Sequence, residues 1–291
     1  MKPVGLDPQC QECMAGAVER IARLHELPAE RRNALLAEVR ALVAGAPAGT
    51  VMPQVARGLG KILTAYLGTN DPFRELKQDA NRRAAELAPE LRGRLRQAAD
   101  PFAAATRLAL AGNVMDFAYR DAPDLLAAID RLADGPLGID DTESLRAELS
   151  LAREVLYLGD NAGEIWCDRL FLERFPPNVA VTFAVRSAPA LNDATLADAA
   201  QTGIDELARV IPSGSDAPGT LPELLTAEAR LLFDGADVVI AKGQGNFEAL
   251  YGRVTRPLYF LFIVKCAHVE KIVGHPVGTG ILWRWEPPAA G

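Results

Sequence analysis

The stretch VLYLGDNAGEIWCDRL (155–170) decides the fold class of this chain. An apolar run without polar interruption is followed by a polar turn, and then by apolar residues at helical spacing. Similar apolar runs recur at VAVTFAV (179–185), DVVIA (237–241) and PLYFLFIV (257–264), with helical patterns between several of them. Continuous apolar strands that alternate with helices are typical of a parallel sheet covered on both faces. We therefore predict an α/β protein with a three-layer α/β/α core and a mainly parallel sheet.

Upstream of this core, residues 14–133 show helical spacing of apolar residues almost throughout and are rich in Ala, Leu and Arg. The pattern predicts an all-helical N-terminal domain or cap at residues 1–140, before the core at 141–291, with a linker at 135–141. Thr220–Glu223 predicts the start of a further helix. Five prolines stand where helix starts are predicted, namely Pro28, Pro53, Pro72, Pro89 and Pro101.

Composition limits the classes of function. The 291 residues include 38 acidic and 31 basic side chains, a formal net charge of −7, which argues against non-specific nucleic-acid binding. The longest apolar run, Leu258 to Val264, is too short to cross a bilayer, and the N-terminal residues have no apolar segment typical of a signal peptide. We expect a cytoplasmic enzyme or binding protein with neither a membrane nor a nucleic-acid partner, and the oligomeric state stays open.

Polar side chains follow each predicted strand, where the carboxyl ends of parallel strands form ligand sites. Asp160 and Asn161 follow the first strand, and Asp193 lies beyond the second. Their oxygen atoms are the hard donors that Mg²⁺ or Mn²⁺ prefers. The sequence therefore predicts a divalent metal site at this edge of the sheet.

Cationic residues follow the other two strands. Lys242 ends one strand and Lys265 the next, and Gly243-Gln244-Gly245-Asn246 could present backbone N–H groups at a helix start. Arg186 follows the second strand. Cations and a helix N-terminus suit a phosphate group. The combination predicts a phosphate ester held between metal and lysines, with Asp160, Asn161, Asp193 and Lys242 as the catalytic groups.

Each motif also has a plainer interpretation. Asp160 and Asn161 could only cap the helix that begins near Gly163, and Asn192-Asp193 could cap the next helix. The glycines near Lys242 could only form a turn. Taken one at a time these alternatives are as good as the functional ones, but the coincidence at four strand ends favours a site.

Several blocks together resemble the damage-control phosphatases, metal-dependent phosphatases first described as a domain of unknown function. The blocks are LGDNAGEIWCD (158–168), VRSAPALNDATLADAAQTG (185–203), ADVVIAKGQGNFEAL (236–250) and FLFIVKC (260–266). NDPFRELKQDANRRA (70–84) and ALAGNVMDFA (109–118) are similar to the family's N-terminal blocks. Cys10-Gln-Glu-Cys13 is similar to a motif of its stand-alone microbial branch. The resemblance covers almost the whole chain and implies a helical portion on an α/β/α core.

The resemblance also implies residue roles. It assigns metal binding to Asp160, Asn161 and Asp193, and phosphate binding to Lys242, Gly243, Gln244, Gly245, Asn246 and Lys265. Asn113 and Asp116 match a block that approaches the same cleft, and Arg186, Glu164 and Asp198 are expected to orient ligands or substrate. The implied activity is hydrolysis of sugar phosphates or damaged phosphometabolites with Mn²⁺, Co²⁺, Ni²⁺ or Mg²⁺.

Two alternatives to a phosphatase remain at the level of sequence. A strand followed by LGDNAGE faintly resembles the first loop of S-adenosylmethionine-dependent methyltransferases, and the fold could also serve a non-catalytic metabolite-binding protein. The Cys10/Cys13 pair could form a metal site completed by Cys266, Cys167 or His268, or could consist of two packed thiols. We expect a structural role for His25, and only a weak signal places His275 near the cleft.

Overall fold

The structure is a computed structural model that describes residues 2–114 and 125–288. Asp116, one of the predicted site residues, lies outside the described residues. The helices are α1 (Gln9–Leu24), α2 (Ala29–Ala44), α3 (Met52–Leu67), α4 (Arg74–Gln97), α5 (Pro101–Gly112), α6 (Leu125–Asp134), α7 (Thr142–Leu151), α8 (Glu164–Leu172), α9 (Leu196–Thr202), α10 (Ala227–Gly235), α11 (Gly243–Leu250) and α12 (Ala267–Val273). The strands are β1 (Ile139–Asp140), β2 (Glu154–Leu158), β3 (Ala180–Val185), β4 (Arg209–Pro212), β5 (Val238–Lys242), β6 (Leu258–Ile263) and β7 (Gly280–Trp285).

Within the described residues, seven strands form one sheet in the order β1-β7-β6-β5-β2-β3-β4. All neighbouring strands run parallel except β6 and β7, which are antiparallel. The chain continues from β2 to β3 on one side and returns to β5 on the other. This reversal opens a crevice beyond the carboxyl ends of the central strands, where ligands bind in open α/β sheets.

The apolar side chains of the strands alternate between two cores. In β6, Tyr259 and Leu261 join the core formed with α4, α5 and α8, whereas Phe260 and Phe262 join the core formed with α10 and α11. Because both faces are covered by helices, the strands are apolar at nearly every position. The predicted three-layer α/β/α core with a mainly parallel sheet is confirmed.

The N-terminal helices divide between two cores. Helices α1, α2 and α3 pack around a core of their own, which includes Val18, Leu35 and Leu59. Helix α5 instead packs on the sheet, and α4 and α5 both pack against α8. The predicted helical region is present, and the division of the chain into two domains at residue 140 stays a prediction.

Four predicted strands are present with shifts of a residue or so, but three strands were not predicted. The expected linker at 135–141 contains β1, which pairs with β7. Strand β4 is short, and the apolar run of β7 is interrupted by Arg284. Thr220–Glu223 does not open an α-helix, because only the 3₁₀ turn Pro222–Leu224 forms and α10 begins after Thr226, whose side chain accepts from Ala229 N–H.

Pro89 is not at a helix start but inside α4. The buried stripe of Ala84, Ala88, Leu91 and Leu95 continues past it and keeps this helix packed on the core, although the proline removes one backbone donor. Of the described helices, none combines the length and apolar character that a bilayer crossing requires.

Candidate active site

A cavity of about 480 Å³ lies beyond the carboxyl ends of β2, β5 and β6. Asp160, Asn161 and Asp193 line one part of it together with Lys265. Helices α1 and α3 contribute the opposite wall, for example through Met52. The cavity therefore joins the predicted metal and phosphate groups to the N-terminal helices that were expected to act as a cap.

The backbone brings the predicted ligand set, Asp160, Asn161 and Asp193, onto one wall. Asn161 and Asp193 form an isolated antiparallel bridge, and Ala194 N–H donates to the Asp160 carbonyl at 2.7 Å. These contacts join the loop after β2 to the loop after β3. All three side chains are buried, so their polar atoms face one another and the cavity instead of bulk water.

Helix capping does not explain these residues. Helix α8 begins after Gly163 without a side-chain cap, and the Gly163 N–H donates to Asn81 Oδ1 at 2.7 Å. Helix α9 is capped by Thr195, whose hydroxyl and N–H both donate to Asp198. The plainer interpretation of both motifs is therefore wrong, because other residues occupy the capping positions.

The positive charge of Arg186 lies next to Asp193 and Asp160, outside the cavity lining. It is buried, and its Nε donates to Asp193 Oδ2 at 2.6 Å. Its Nη1 donates to Thr220 Oγ1 at 2.9 Å, and its Nη2 lies 3.9 Å from Asp160 Oδ1. Because Arg186 is absent from the lining of this cavity, its geometry suits orientation of Asp193 better than contact with a substrate.

Asp160 lies in a position that is unfavourable for an isolated carboxylate. Burial, followed by the neighbouring charges of Glu164 and Asp193, raises the pKa of Asp160 well above its ordinary value. Lys265 and Arg186 act in the opposite direction. Several buried acidic groups that repel one another around one cavity are the arrangement that a divalent cation relieves.

Gly243, the first residue of α11, permits the close approach of Asp160. Its φ is +80°, and a Cβ at this position would lie 1.8 Å from Asp160 Oδ2. A side chain of any kind would therefore displace the carboxylate. The other members of the block differ in position: Gln244 and Gly245 line the cavity, whereas Asn246 is buried and holds the backbone.

Asn246 bonds to the ends of two strands and to the segment around Thr220. Its Nδ2 donates to the carbonyl of Lys242 at 2.6 Å and to that of Gly159 at 3.1 Å, and its Oδ1 accepts from Thr220 N–H at 2.7 Å. These bonds fix the crevice between β2 and β5. Asn246 was predicted to contact substrate, but the geometry favours a role in holding the two strand ends together.

Lys242 was predicted to contact the phosphate, but it does not line the cavity. It is fully buried, and its Nζ pairs with Glu164 Oε1 and lies 2.9 Å from Asp168 Oδ1. Tyr157 donates to the same Asp168 oxygen at 2.8 Å. The side chain points into the layer between β5 and α8, because two carboxylates of α8 bind it there.

The charges of this buried group stabilise one another. Burial favours the neutral form of Glu164, but Lys242, Lys265 and hydrogen bonds outweigh burial and lower its pKa. For Lys242, burial is likewise outweighed, and Asp168 and Glu164 raise its pKa. Burial raises the pKa of Asp168 to about 6 although Lys242 opposes the shift.

Glu164 and Asn113 orient the ligand set. Asn161 Nδ2 donates to Asp160 Oδ2 at 2.7 Å and to Glu164 Oε2 at 2.8 Å, so its carbonyl oxygen points away from these two carboxylates. Asn113 Nδ2 donates to Asp160 Oδ2 at 3.1 Å and to Glu164, while its Oδ1 accepts from Ile263 N–H at 3.1 Å. The predicted orienting role of Glu164 is consistent with this geometry.

Asp198 does not meet the ligand set. Its Oδ1 accepts from Asn81 Nδ2 at 3.0 Å, its Oδ2 lies 3.7 Å from Lys77 Nζ, and it lines a second cavity. His25, at the end of α1, donates from Nε2 to the Pro72 carbonyl at 2.7 Å. His275 lies against Gly138 and is absent from the cavity lining.

The thiols separate into two places. Cys10, Cys13 and Cys266 line the cavity together with His268, whereas Cys167 is buried in the core next to Gly112. Burial raises the pKa of Cys10 to about 11, so its thiol stays protonated. In the part of the chain that the structure describes, no three His, Cys, Asp or Glu side chains are grouped to hold a metal. A metal site built from the thiols and His268 alone therefore lacks support, and a site at Asp160 and Asp193 needs the amide of Asn161 as a further ligand.

Sequence reasoning missed two acidic residues. Asp168 binds Lys242, and Glu248 is buried in the cavity wall, where it accepts from Gln244 Nε2 at 2.8 Å. Each follows a recognised site residue by four positions on a helix, Asp168 after Glu164 and Glu248 after Gln244. Residues four apart share a helix face, and that spacing was the signal available in the sequence.

The donor set fits a hard divalent cation better than a soft one. It consists of two carboxylates and one amide, all buried on the wall of the cavity, with an arginine and a lysine close by. Oxygen donors of this kind suit Mg²⁺ or Mn²⁺. The glycine at 243 leaves room for the Asp160 carboxylate, and the amide of Asn161 is fixed by two hydrogen bonds. These features are compatible with a metal site at the predicted ligand set.

Comparisons with known proteins agree over almost the whole chain. Residues 6–281 match a family described as the damage-control phosphatase ARMT1-like domain. A Pyrococcus horikoshii protein named damage-control phosphatase is 33% identical over 282 residues, which are 95% of this chain and 96% of that protein. An Archaeoglobus fulgidus protein of the same name is 29% identical over 280 residues, 94% of this chain and 96% of that protein. A crystal structure of a DUF89 family protein from Pyrococcus horikoshii, 31% identical, superposes with a TM-score of 0.84 and covers 96% of this chain and 99% of that one.

Proposed function

Because this chain belongs to the damage-control phosphatase ARMT1-like family, we propose that it is a metal-dependent hydrolase of phosphomonoesters of small metabolites. Membership confirms the resemblance of the sequence blocks and the coarse prediction of a phosphatase. The observation that carries the finer proposal is the joint placement of Asp160, Asn161 and Asp193 in one cavity with Lys265. Candidate substrates are sugar phosphates and damaged phosphometabolites.

A divalent ion, Mn²⁺, Co²⁺, Ni²⁺ or Mg²⁺, would be held by Asp160, Asn161 and Asp193. Such an ion polarises the phosphoryl group and offsets its negative charge. The oxygen donors of the set favour Mg²⁺ or Mn²⁺ on chemical grounds. The acidic net charge of the chain is compatible with an anionic substrate, since the charges near the cavity decide local attraction.

The chain's own residues bind and orient the reactants. Lys265 lies in the cavity, where its ammonium group would bind the phosphate oxygens. Arg186 holds Asp193 through a 2.6 Å bond. Lys242 acts indirectly: it binds Glu164, which in turn accepts a hydrogen bond from the Asn161 amide and fixes its orientation. We therefore assign Lys242 a positioning role in place of the substrate contact expected from sequence.

The walls of the cavity limit substrate size. Met52 and Pro53 of α3, and residues of α1, line it together with the ligand set. A cavity of about 480 Å³ accommodates a small metabolite and not a macromolecule. We therefore include in the proposal a small phosphorylated metabolite as the partner, with the N-terminal helices shaping which metabolite binds.

The test is phosphate release from a panel of sugar phosphates after removal of bound metal by a chelator and addition of Mn²⁺, Co²⁺, Ni²⁺ or Mg²⁺. We expect activity only with metal, and a loss of at least about 100-fold in Asp160→Asn. Asp234→Asn, which changes an exposed carboxylate of α10, is the matched control and should retain full activity.

Metal-independent turnover, or full activity in the Asp160 variant, would overturn the proposal. Tight binding of sugar phosphates without turnover under any metal would favour the alternative of a non-catalytic binding protein. The methyltransferase alternative has lost its support, because the family match and the named relatives are phosphatases.

A further inference from the structure

Glu248 is an acidic group in the cavity to which the proposed function has given no task. It lies on α11, on the same face as Gln244 and Gly245, and all three line the cavity. The side chain is only 8% exposed. Gln244 bridges it to the phosphate-binding region, because its Nε2 donates to Glu248 Oε1 at 2.8 Å and its Oε1 accepts from Lys265 N–H at 2.8 Å.

Glu248 and the ligand set border the same cavity from different elements. Helix α11 begins at Gly243, which lies against the Asp160 carboxylate, and Glu248 is five residues further along, about 7.5 Å along the helix axis. Lys265, the proposed phosphate-binding cation, lines this cavity as well, and its charge acts on Glu248. A phosphate ester held by the ligand set and Lys265 would therefore share the cavity with the Glu248 carboxyl group.

The surroundings of Glu248 favour its protonated form. The other titratable groups that line the same cavity are Cys10, Glu12, Cys13 and Arg20 on α1, Asp160 and Asp193 of the ligand set, Lys265 and Cys266 after β6, and His268 on α12. Burial raises the pKa of Glu248 to about 7, while the bond from Gln244 and the charge of Lys265 oppose the shift. Near neutral pH a large fraction of the molecules thus has a proton on this side chain.

We propose that Glu248 is the proton donor to the leaving oxygen in phosphomonoester hydrolysis. This inference rests on the proposed function. When a nucleophilic oxygen bonds to phosphorus, the bond between phosphorus and the ester oxygen breaks and its electron pair stays on that oxygen. The proton of Glu248 transfers to it, so that a neutral alcohol leaves. The overall reaction consumes one water, which supplies oxygen to phosphorus and, through solvent, the proton that restores Glu248.

The experiment compares two substrates that differ in their need for this proton. A sugar phosphate releases an alkoxide unless it is protonated, whereas p-nitrophenyl phosphate releases a nitrophenolate that is stable as an anion. General acid catalysis contributes about 10²- to 10⁴-fold. Glu248→Gln should therefore lower kcat for the sugar phosphate by about 100-fold or more and change kcat for p-nitrophenyl phosphate by less than about three-fold.

Two controls separate this role from a structural one. Glu143→Gln removes a negative charge from an exposed residue of α7 that does not line the cavity and should leave both rates unchanged. In the wild-type protein, the ratio of kcat for the sugar phosphate to kcat for p-nitrophenyl phosphate should fall above pH 7, and this fall should be absent in Glu248→Gln. The wild-type measurement holds even if the variant folds poorly.

Equal losses on both substrates, no loss on either, or a wild-type ratio that is independent of pH would overturn the role of Glu248 while leaving the phosphatase in place. Absence of wild-type turnover on both substrates with every metal would instead refute the proposed function, and the inference with it.

Discussion

Replacement of Gly243 by alanine tests the geometry of the site at its narrowest point. The new Cβ would lie 1.8 Å from Asp160 Oδ2, whereas real Cβ contacts essentially never fall below 3.0 Å. The Asp160 carboxylate must therefore shift by more than about 1 Å, a misplacement that can lower a rate about 100-fold. The φ of +80° adds backbone strain of about 1–2 kcal/mol.

The matched control is Gly274→Ala at the end of α12. Its φ is +75°, but a Cβ there would meet nothing within 4 Å, so it carries the strain without the clash. Both variants should lose about 1–2 kcal/mol of unfolding free energy to the backbone. Only Gly243→Ala should bind Mn²⁺ more weakly, as measured by calorimetry. Its kcat/KM should also be about 100-fold lower than that of the wild type. Equal metal affinity in the two variants would refute the view that Gly243 makes room for Asp160.

Three further predictions address the buried charges and the metal. Lys242→Met leaves Glu164 and Asp168 without their cation and should lower the free energy of unfolding by about 3–5 kcal/mol, measured by urea denaturation. Arg209→Ala removes an exposed ion pair and should lower it by less than about 1 kcal/mol. Equal losses of stability in the two variants would contradict the buried network. Glu248 holds a proton in the folded state between its ordinary pKa of 4.5 and about 7, so it contributes stability that is lost as pH rises through this window. This loss is absent in Glu248→Gln. Between pH 4.5 and pH 8 the free energy of unfolding of the variant should therefore rise relative to that of the wild type by up to about 3 kcal/mol. A stability difference that is independent of pH would refute the raised pKa of Glu248. Mn²⁺ at 100 times its Kd should stabilise the wild type by about 2.7 kcal/mol in thermal unfolding, and no stabilisation at any concentration would argue against a native metal site.

The strand ends could be predicted from the sequence because a parallel sheet aligns them. Once four apolar runs are assigned to neighbouring strands, Asp160, Arg186, Gly243 and Lys265 must lie at one edge. Their joint placement depends on topology and not on any single contact. The short β4 and the two-residue β1 give no comparable signal, because they contain too few residues to show a period.

The direction of a side chain is harder to predict than its place. Lys242 stands at the end of a strand, where a lysine can turn to the cavity or into the protein. It turns into the protein because it pairs there with the carboxylates of Glu164 and Asp168. These two residues lie 78 and 74 positions earlier in the sequence. Sequence reasoning placed Glu164 near the ligand set but had no means to orient Asp168 toward Lys242, since that requires the packing of α8 on β5.

Asn246 illustrates a related limit. Its place in a glycine-rich block suggested a contact with phosphate, but its amide is used by backbone groups of three segments and by the Arg186 side chain. A buried amide is satisfied by whichever partners the fold brings within reach. Those partners belong to β2, β5 and the segment around Thr220, which are far apart in sequence.

The central claim is that Asp160, Asn161 and Asp193 bind one divalent ion together. The most direct measurement is anomalous diffraction from crystals grown with Mn²⁺, combined with the same experiment on Asp193→Asn. We predict one strong anomalous peak at about 2.0–2.3 Å from oxygens of all three side chains, with a large loss of occupancy in the variant. A peak beside Cys10 and Cys13, or no peak at the ligand set, would contradict the account.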